Sequence, residues 1–140
     1  MEEEYIKADL GIRFLAALID SALCIVLYTI PVLGWAIGAI YILLRDGLLG
    51  GESLGKKVLG LKVIHLEKNQ NANFLDSILR NLILAVAYIV MLIPVFGWII
   101  APIIIIIEAL FVLSDEKGIR FGDRLAKTQV IEKALVRKPR

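Results

Sequence analysis

Two long apolar blocks dominate the chain. Residues 14–44 and 82–114 contain no Lys or Arg and only two acids, Asp20 and Glu108. Uninterrupted apolar runs of this length read as membrane helices. Each block is broken in its middle by one pattern, Ile30-Pro31-Val32-Leu33-Gly34-Trp35 and Ile93-Pro94-Val95-Phe96-Gly97-Trp98. Aligned over 30–38 and 93–101, six of the nine positions are identical. Pro and Gly break helices, and Trp suits the membrane–water interface. Two full spans want about 40 residues, more than either block holds, yet one straight helix of 31 residues would measure about 46 Å against a core of about 30 Å. The pattern therefore predicts two hairpins of short helices, at residues 11–30, 35–49, 75–93 and 98–113. One kinked helix per block is the alternative. Gly34-x-x-x-Gly38 and Gly97-x-x-x-Ala101 place small residues one turn apart, a spacing that lets helices approach closely. Pro102 predicts a kink in the fourth helix.

The segments outside the blocks, 50–74 and 114–140, are polar and Gly-rich or basic. Leu61, Val63 and His65 alternate with Lys62, Ile64 and Leu66, which predicts a strand, and 69–73 reads as a turn. Residues 129–132 form a second β-prone run, expected to pair with the first in a two-stranded sheet. The expected fold class is an all-α membrane protein: a four-helix transmembrane bundle of two helical hairpins with a small cytoplasmic β-paired element. It occupies one domain over residues 1–140.

Composition sharpens this picture. Hydrophobic residues make up 59% of the 140 and mean hydropathy is +0.78, well above the 45–50% of ordinary soluble domains. All 16 Lys and Arg lie outside the two blocks. Because positive charge stays on the cytoplasmic side, one orientation accommodates every basic residue: a multi-pass protein of the cell membrane with both termini cytoplasmic. The acidic start Met1-Glu2-Glu3-Glu4 lacks the basic onset of a secretory signal, so the first helix is expected to remain. Anionic headgroups account for the basic segments without any nucleic acid. The lone Cys24 and lone His65 offer neither an internal disulfide nor a metal-ligand cluster, and no cofactor is expected. Gly50, Gly55 and Lys56 match the phosphate-loop spacing G-x-x-x-x-G-K, but Lys57 stands where Ser or Thr should bind magnesium, and a membrane helix precedes it instead of a strand.

Asp20 is the candidate for chemistry. On a helix, Arg13, Ala17, Asp20, Cys24 and Tyr28 share one stripe. An intramembrane carboxylate costs roughly 2.5–3.5 kcal/mol on insertion scales, which makes it a functional candidate. Glu108 lies seven residues in from Asp115, as Asp20 does from Arg13, so both acids sit about 10 Å inside their helices. At that depth they can share a proton or a cation. The alternative for Asp20 is a packing carboxylate paired with Arg13 or another helix. Ser21, Cys24 and Tyr28 extend a weakly polar path outward along the same side of that helix. Arg45, Asp46 and Arg80 fall at the membrane surface.

These residues resemble the RDD family of small membrane proteins, named for one arginine and two aspartates. The match rests on Gly11-Ile12-Arg13-Phe14-Leu15-Ala16-Ala17-Leu18-Ile19-Asp20, on Gly51-Glu52-Ser53-Leu54-Gly55-Lys56 with Arg80-Asn81, and on Gly122-Asp123-Arg124-Leu125-Ala126. It implies Arg13, Asp20 and Asp123 as the family motif and Gly51, Ser53, Gly55, Lys56 and Arg80 as a cytoplasmic motif. Arg13, Asp20 and Asp123 are expected to act as one electrostatic unit. The resemblance also implies transport of ligands not yet assigned, with cation–proton exchange proposed for some members. Glu108 and the two IPV-x-GW turns lie outside the family pattern. Two functions remain open. One is exchange of Na⁺, K⁺ or Li⁺ for H⁺ at Asp20, aided by Glu108; a narrow bundle of four short helices would then need a homo-oligomer to form a path. The other is a non-catalytic scaffold or accessory subunit that binds a partner or anionic lipid on its cytoplasmic face. No nucleophile–base pair or nucleotide motif supports an enzyme.

Overall fold

The structure, a computed structural model, describes residues 5–135. The acidic start at residues 1–4 and the basic tail at 137–140 lie outside the described residues.

The chain is mostly helical. Four long helices, α1 (Leu10–Tyr28), α2 (Gly34–Leu48), α4 (Phe74–Val90) and α5 (Phe96–Ser114), are joined by two short ones, α3 (Leu54–Val58) and α6 (Phe121–Ala126). Asp9 caps α1 by accepting from the Ile12 N–H at 3.0 Å, as a short acid at this position should. Asn73 and Asp76 form a reciprocal capping box at the start of α4. α1 and α5, with 19 residues each, are long and apolar enough to cross a membrane; α2 and α4 have 15 and 17. α5 runs through Pro102 without ending.

The expected helix bounds shift. The third helix ends at Val90 rather than 93 and the fourth starts at Phe96 rather than 98. The reason is the turn that joins them. Val32 and Val95 adopt positive φ, 66° and 65°, and the N–H two residues after each proline donates back to the proline carbonyl, Leu33 to Pro31 and Phe96 to Pro94, both at 2.8 Å. This is a γ-turn, a strained form for a β-branched residue. The chain reverses at valine, not at glycine. The two glycines serve a different purpose. Gly34 and Gly97 lie in the first two residues of the returning helices, and a Cβ there would strike a carbonyl of the preceding helix, Leu27 O and Val90 O respectively. The repeat legible in sequence is thus a repeat of backbone geometry, offset by 63 residues at every equivalent position. Gly38 is the other small contact, with its Cβ position occupied by the Tyr88 side chain of α4.

α2 packs on α4, α1 on α2 and α3, and α4 on α5 and α6. Among the described residues no extensive contact joins α1 to α5. The sheet has three strands rather than two, in the order β2-β1-β3, with β1 Leu61–His65, β2 Gln70–Asn71 and β3 Thr128–Glu132. The two β-prone runs pair as expected; the structure makes the pairing of β1 with β3 antiparallel and sets Val63 opposite Val130. β2 forms inside the expected turn, because Asn69 takes positive φ and folds Gln70 back onto His65. A two-stranded ribbon is marginal alone. Here Leu61, Val63 and Val130 are fully buried against Ala8, Ala16 and Ala72, so the start of α1 covers the sheet.

The turns make a testable demand. Gly34→Ala and Gly97→Ala should each destabilise the protein by about 1–3 kcal/mol, because the added methyl meets a backbone carbonyl that cannot rotate away. Thermal unfolding of the purified protein in detergent measures this, and an unchanged Tm in both variants contradicts the turn geometry.

Candidate functional site

The ends of α2, α4 and α6 bring together an array of buried charge. Arg80 of α4 is 1% exposed and lies between two fully buried aspartates. Its Nη2 contacts Asp123 at 2.8 Å and its Nε lies 3.3 Å from Asp46. Asp46 also receives the ammonium of Lys56 and, at 2.8 Å, the amide of Asn81. Ser77 donates to the Leu43 carbonyl and accepts from the Asp46 N–H, which fixes the end of α2 on α4. Asp123 holds Arg120 at 3.3 Å and Arg13 at 3.7 Å. Arg13 donates to the Gly118 carbonyl as well, at 2.5 Å. Burial raises the Asp123 carboxyl, but Arg80, Arg120 and Arg13 together outweigh this and hold it below the ordinary carboxylate range. Burial lowers Lys56 to about 8, against the pull of Asp46 and with the help of Arg45 and Arg80.

Asp20 belongs to a neighbouring cluster. Its Oδ1 accepts from Tyr41 at 3.0 Å and from the Gly55 N–H at 2.9 Å. Its Oδ2 accepts from Ser53 at 2.6 Å, with Arg45 Nη1 3.5 Å away. Ser53 also caps α3, and a Cβ on Gly55 would strike the Ala16 carbonyl. The Gly51-to-Lys56 motif therefore leads into the short helix α3, pressed onto the backbone of α1, with Ser53 and Gly55 gripping Asp20 and Lys56 reaching Asp46. It resembles a phosphate loop in spacing alone.

The structure joins Arg13 to Asp123 and leaves Asp20 with Arg45, so the expected three-residue unit is split. The stretch between Arg13 and Asp20 is two helical turns, and α3 and the end of α2 fill the space beside Asp20. Glu108 does not join Asp20 either. It is buried against the Gly122 backbone beside Arg120, and its Oε2 has no hydrogen-bond partner. The outward polar path does not form: Cys24 packs with Ile42 and Ala85, while Ser21 and Tyr28 are exposed. Arg45, Asp46 and Arg80, read from sequence as membrane-surface residues, are buried within the protein. Asp46, Asn81 and Arg120 are site residues that the hydropathy pattern does not reveal. The available signal was the Arg45-Asp46 pair ending an apolar run ten residues before Lys56.

Four guanidinium nitrogens in this layer lack hydrogen-bond partners: Arg45 Nε, Arg80 Nε and Nη1, and Arg120 Nε. Arg80 Nε is within ion-pair range of Asp46 but is not aligned for a hydrogen bond. A cavity of about 330 Å³ between α1 and α5 is lined by Arg13, Arg45, Lys56, Arg80 and Arg120, with Asp20 the one acid. Among the described residues no group of three or more His, Cys, Asp or Glu is placed to hold a metal ion.

The sequence profile of the RDD family matches residues 32–127, and the chain belongs to that family. The matched span contains Gly51, Ser53, Gly55, Lys56, Arg80 and Asp123 and begins after Arg13 and Asp20. No curated protein and no solved structure matches the chain.

Asp123→Asn should cost about 3–5 kcal/mol at pH 7, since three cations lose their shared partner. The pH dependence has a definite sign. A carboxyl depressed in the folded state stabilises above its ordinary range, and that stabilisation is lost as pH falls through the folded value. The native protein should therefore weaken below about pH 4, and the Asp123→Asn variant should show a flatter acid limb in thermal scans between pH 3 and 7. An equally steep limb in the variant contradicts this assignment.

Proposed function

We propose that this RDD-family protein is a multi-pass protein of the cell membrane whose four long helices span as two hairpins, with one domain over residues 1–140. It works by binding, not catalysis, through the charged layer at the cytoplasmic ends of its helices. The sheet, α3, α6 and the described basic residues gather at one end of the helices. Trp35 and Trp98, both exposed, mark the opposite turns. That separation supports a cytoplasmic sheet and cytoplasmic termini.

The observation that carries the binding reading is the charge balance of the layer. Five cations, Arg13, Arg45, Lys56, Arg80 and Arg120, face three aspartates, Asp20, Asp46 and Asp123. An ionised Glu108 offsets at most one of the two surplus charges. A structural ion-pair network has no need of a surplus, and its unpaired guanidinium donors point to an anionic ligand on the cytoplasmic face: a lipid or an acidic partner segment.

Exchange of Na⁺, K⁺ or Li⁺ for protons is the second reading, and one observation favours it. Glu108 is a buried acid with an unpaired oxygen. Against it, both oxygens of Asp20 are already occupied by protein donors and the surrounding cations repel a metal ion. A conduction path through this narrow bundle would also require a homo-oligomer.

Liposomes containing the purified protein separate the two. The binding reading expects no Na⁺-, K⁺- or Li⁺-coupled proton flux above protein-free vesicles. It also expects Asp20→Asn to lower thermal stability, because Tyr41, Ser53, Gly55 and Arg45 lose a charged acceptor. Cation-dependent proton flux that disappears in a well-folded Asp20→Asn or Glu108→Gln protein overturns it in favour of exchange.

A further inference from the structure

We infer that the cleft between α1 and α5 is a headgroup site for an anionic phospholipid, entered sideways from the bilayer, with Arg45 and Arg80 as the residues that hold the phosphate. This rests on the binding reading above and names its ligand and its place.

Three features meet in the cleft. The first is unfilled donor capacity beside a cavity that is open on one side. Arg80 is 1% exposed and Arg45 8%. Both residues line the cavity, and behind its wall Arg80 Nη1 and Arg45 Nε, each almost without exposed surface, have no acceptor. A buried, unpaired guanidinium donor is costly. Its planar fork matches the oxygens of a phosphate, which satisfies several donors at once. The second is charge. A phosphodiester brings one negative charge to a layer whose positive surplus is two, or one when Glu108 is ionised, so binding relieves repulsion among the arginines themselves.

The third feature selects the source of the phosphate. The walls above the arginines are apolar: Phe14 and Ala17 on α1 face Ala109 and Leu113 on α5. Phe14 and Leu113 are 63% and 65% exposed on the outer faces of those helices. Among the described residues no extensive contact between α1 and α5 closes this side. At the other end, Arg13 bonds the Gly118 carbonyl in the loop after α5, a strap across the cytoplasmic opening. A free phosphate would have to pass that strap. A lipid lying beside the helices slides its headgroup inward while its acyl chains stay against Phe14 and Leu113. The volume of about 330 Å³ suits a headgroup and lies at the lower end of the range for small-ligand sites.

The test is lipid titration of the purified full-length protein in detergent, read by native mass spectrometry, with phosphatidylglycerol, phosphatidylcholine and inorganic phosphate as probes. The expected result is one phosphatidylglycerol per chain, bound at least tenfold tighter than phosphatidylcholine and not displaced by millimolar inorganic phosphate. Arg45→Gln should weaken it at least tenfold. Ala109→Phe fills the mouth of the cleft, leaves every charge in place and should weaken it as much; it carries the test if Arg45→Gln fails to fold. Undiminished phosphatidylglycerol binding in folded Ala109→Phe overturns the cleft assignment while leaving lipid binding elsewhere on the basic face intact. Equal affinity for the two lipids overturns the anionic-lipid reading altogether. Displacement by inorganic phosphate overturns the lipid as source and assigns the arginines to a soluble anion.

Discussion

Arg80 is the interaction on which the rest of the structure depends. Its guanidinium stands between Asp46 of α2 and Asp123 of α6, and it is almost entirely removed from water. Such a group is tolerable only when its counter-ions are held in place by other contacts, since desolvation can exceed the Coulombic gain of a single pair. The structure meets this condition at both ends. Asp46 is fixed by Ser77, Asn81 and Lys56, and Asp123 by the first turn of α6 and by Arg13 and Arg120. One buried cation thereby ties α2, α4 and α6 together and draws in α1 and α3. Apolar packing alone could not specify this, because helix surfaces in lipid gain little from burying one leucine against another.

The segment between the hairpins is built around the same requirement. α3 is only five residues long and would not hold its shape alone. It is held by its contact with α1, where the absence of a side chain at Gly55 lets the Gly55 N–H reach Asp20. Ser53 caps α3 and donates to the same carboxylate. Asp20 is therefore the post on which α3 is hung, and hanging α3 there delivers Lys56 to Asp46. An acid inside a membrane helix usually suggests movement of ions. This one is surrounded by donors on three sides, which is the environment of a fixed anchor. Glu108, with an unfilled oxygen beside Arg120, is the less constrained of the two acids.

The hairpins contribute differently. Their turns share backbone geometry down to the strained valines, yet the chain between and after them is unlike: α3 and the first two strands follow one hairpin, α6 and β3 the other. The symmetric part shapes the membrane-facing region and the asymmetric part closes the charged layer. Among the described residues α1 and α5 make no extensive contact, and a cavity lined by Arg13, Arg45, Lys56, Arg80 and Arg120 lies between them.

Sequence alone determined the hairpin turns, the family and the pairing of the β-prone run at 61–66 with that at 129–132. These follow from hydrophobic period, from Pro and Gly as helix breakers and from β-branched alternation, all of which act over a few residues. Asp20 stands out because a carboxylate inside an apolar run is costly, whereas Arg13, Asp123 and Arg80 are marked by the resemblance to the family. Partnership was decided only in three dimensions. Asp20 pairs with Arg45 rather than Arg13, and Arg80 is buried between two aspartates, because ion pairing is settled by which helix ends converge. That convergence depends on close contacts such as Gly55 on Ala16 and Gly38 on Tyr88. Positive φ at Val32 and Val95 was likewise invisible: intrinsic preference assigns it to glycine, and the packing of each returning helix against its predecessor overrode that preference.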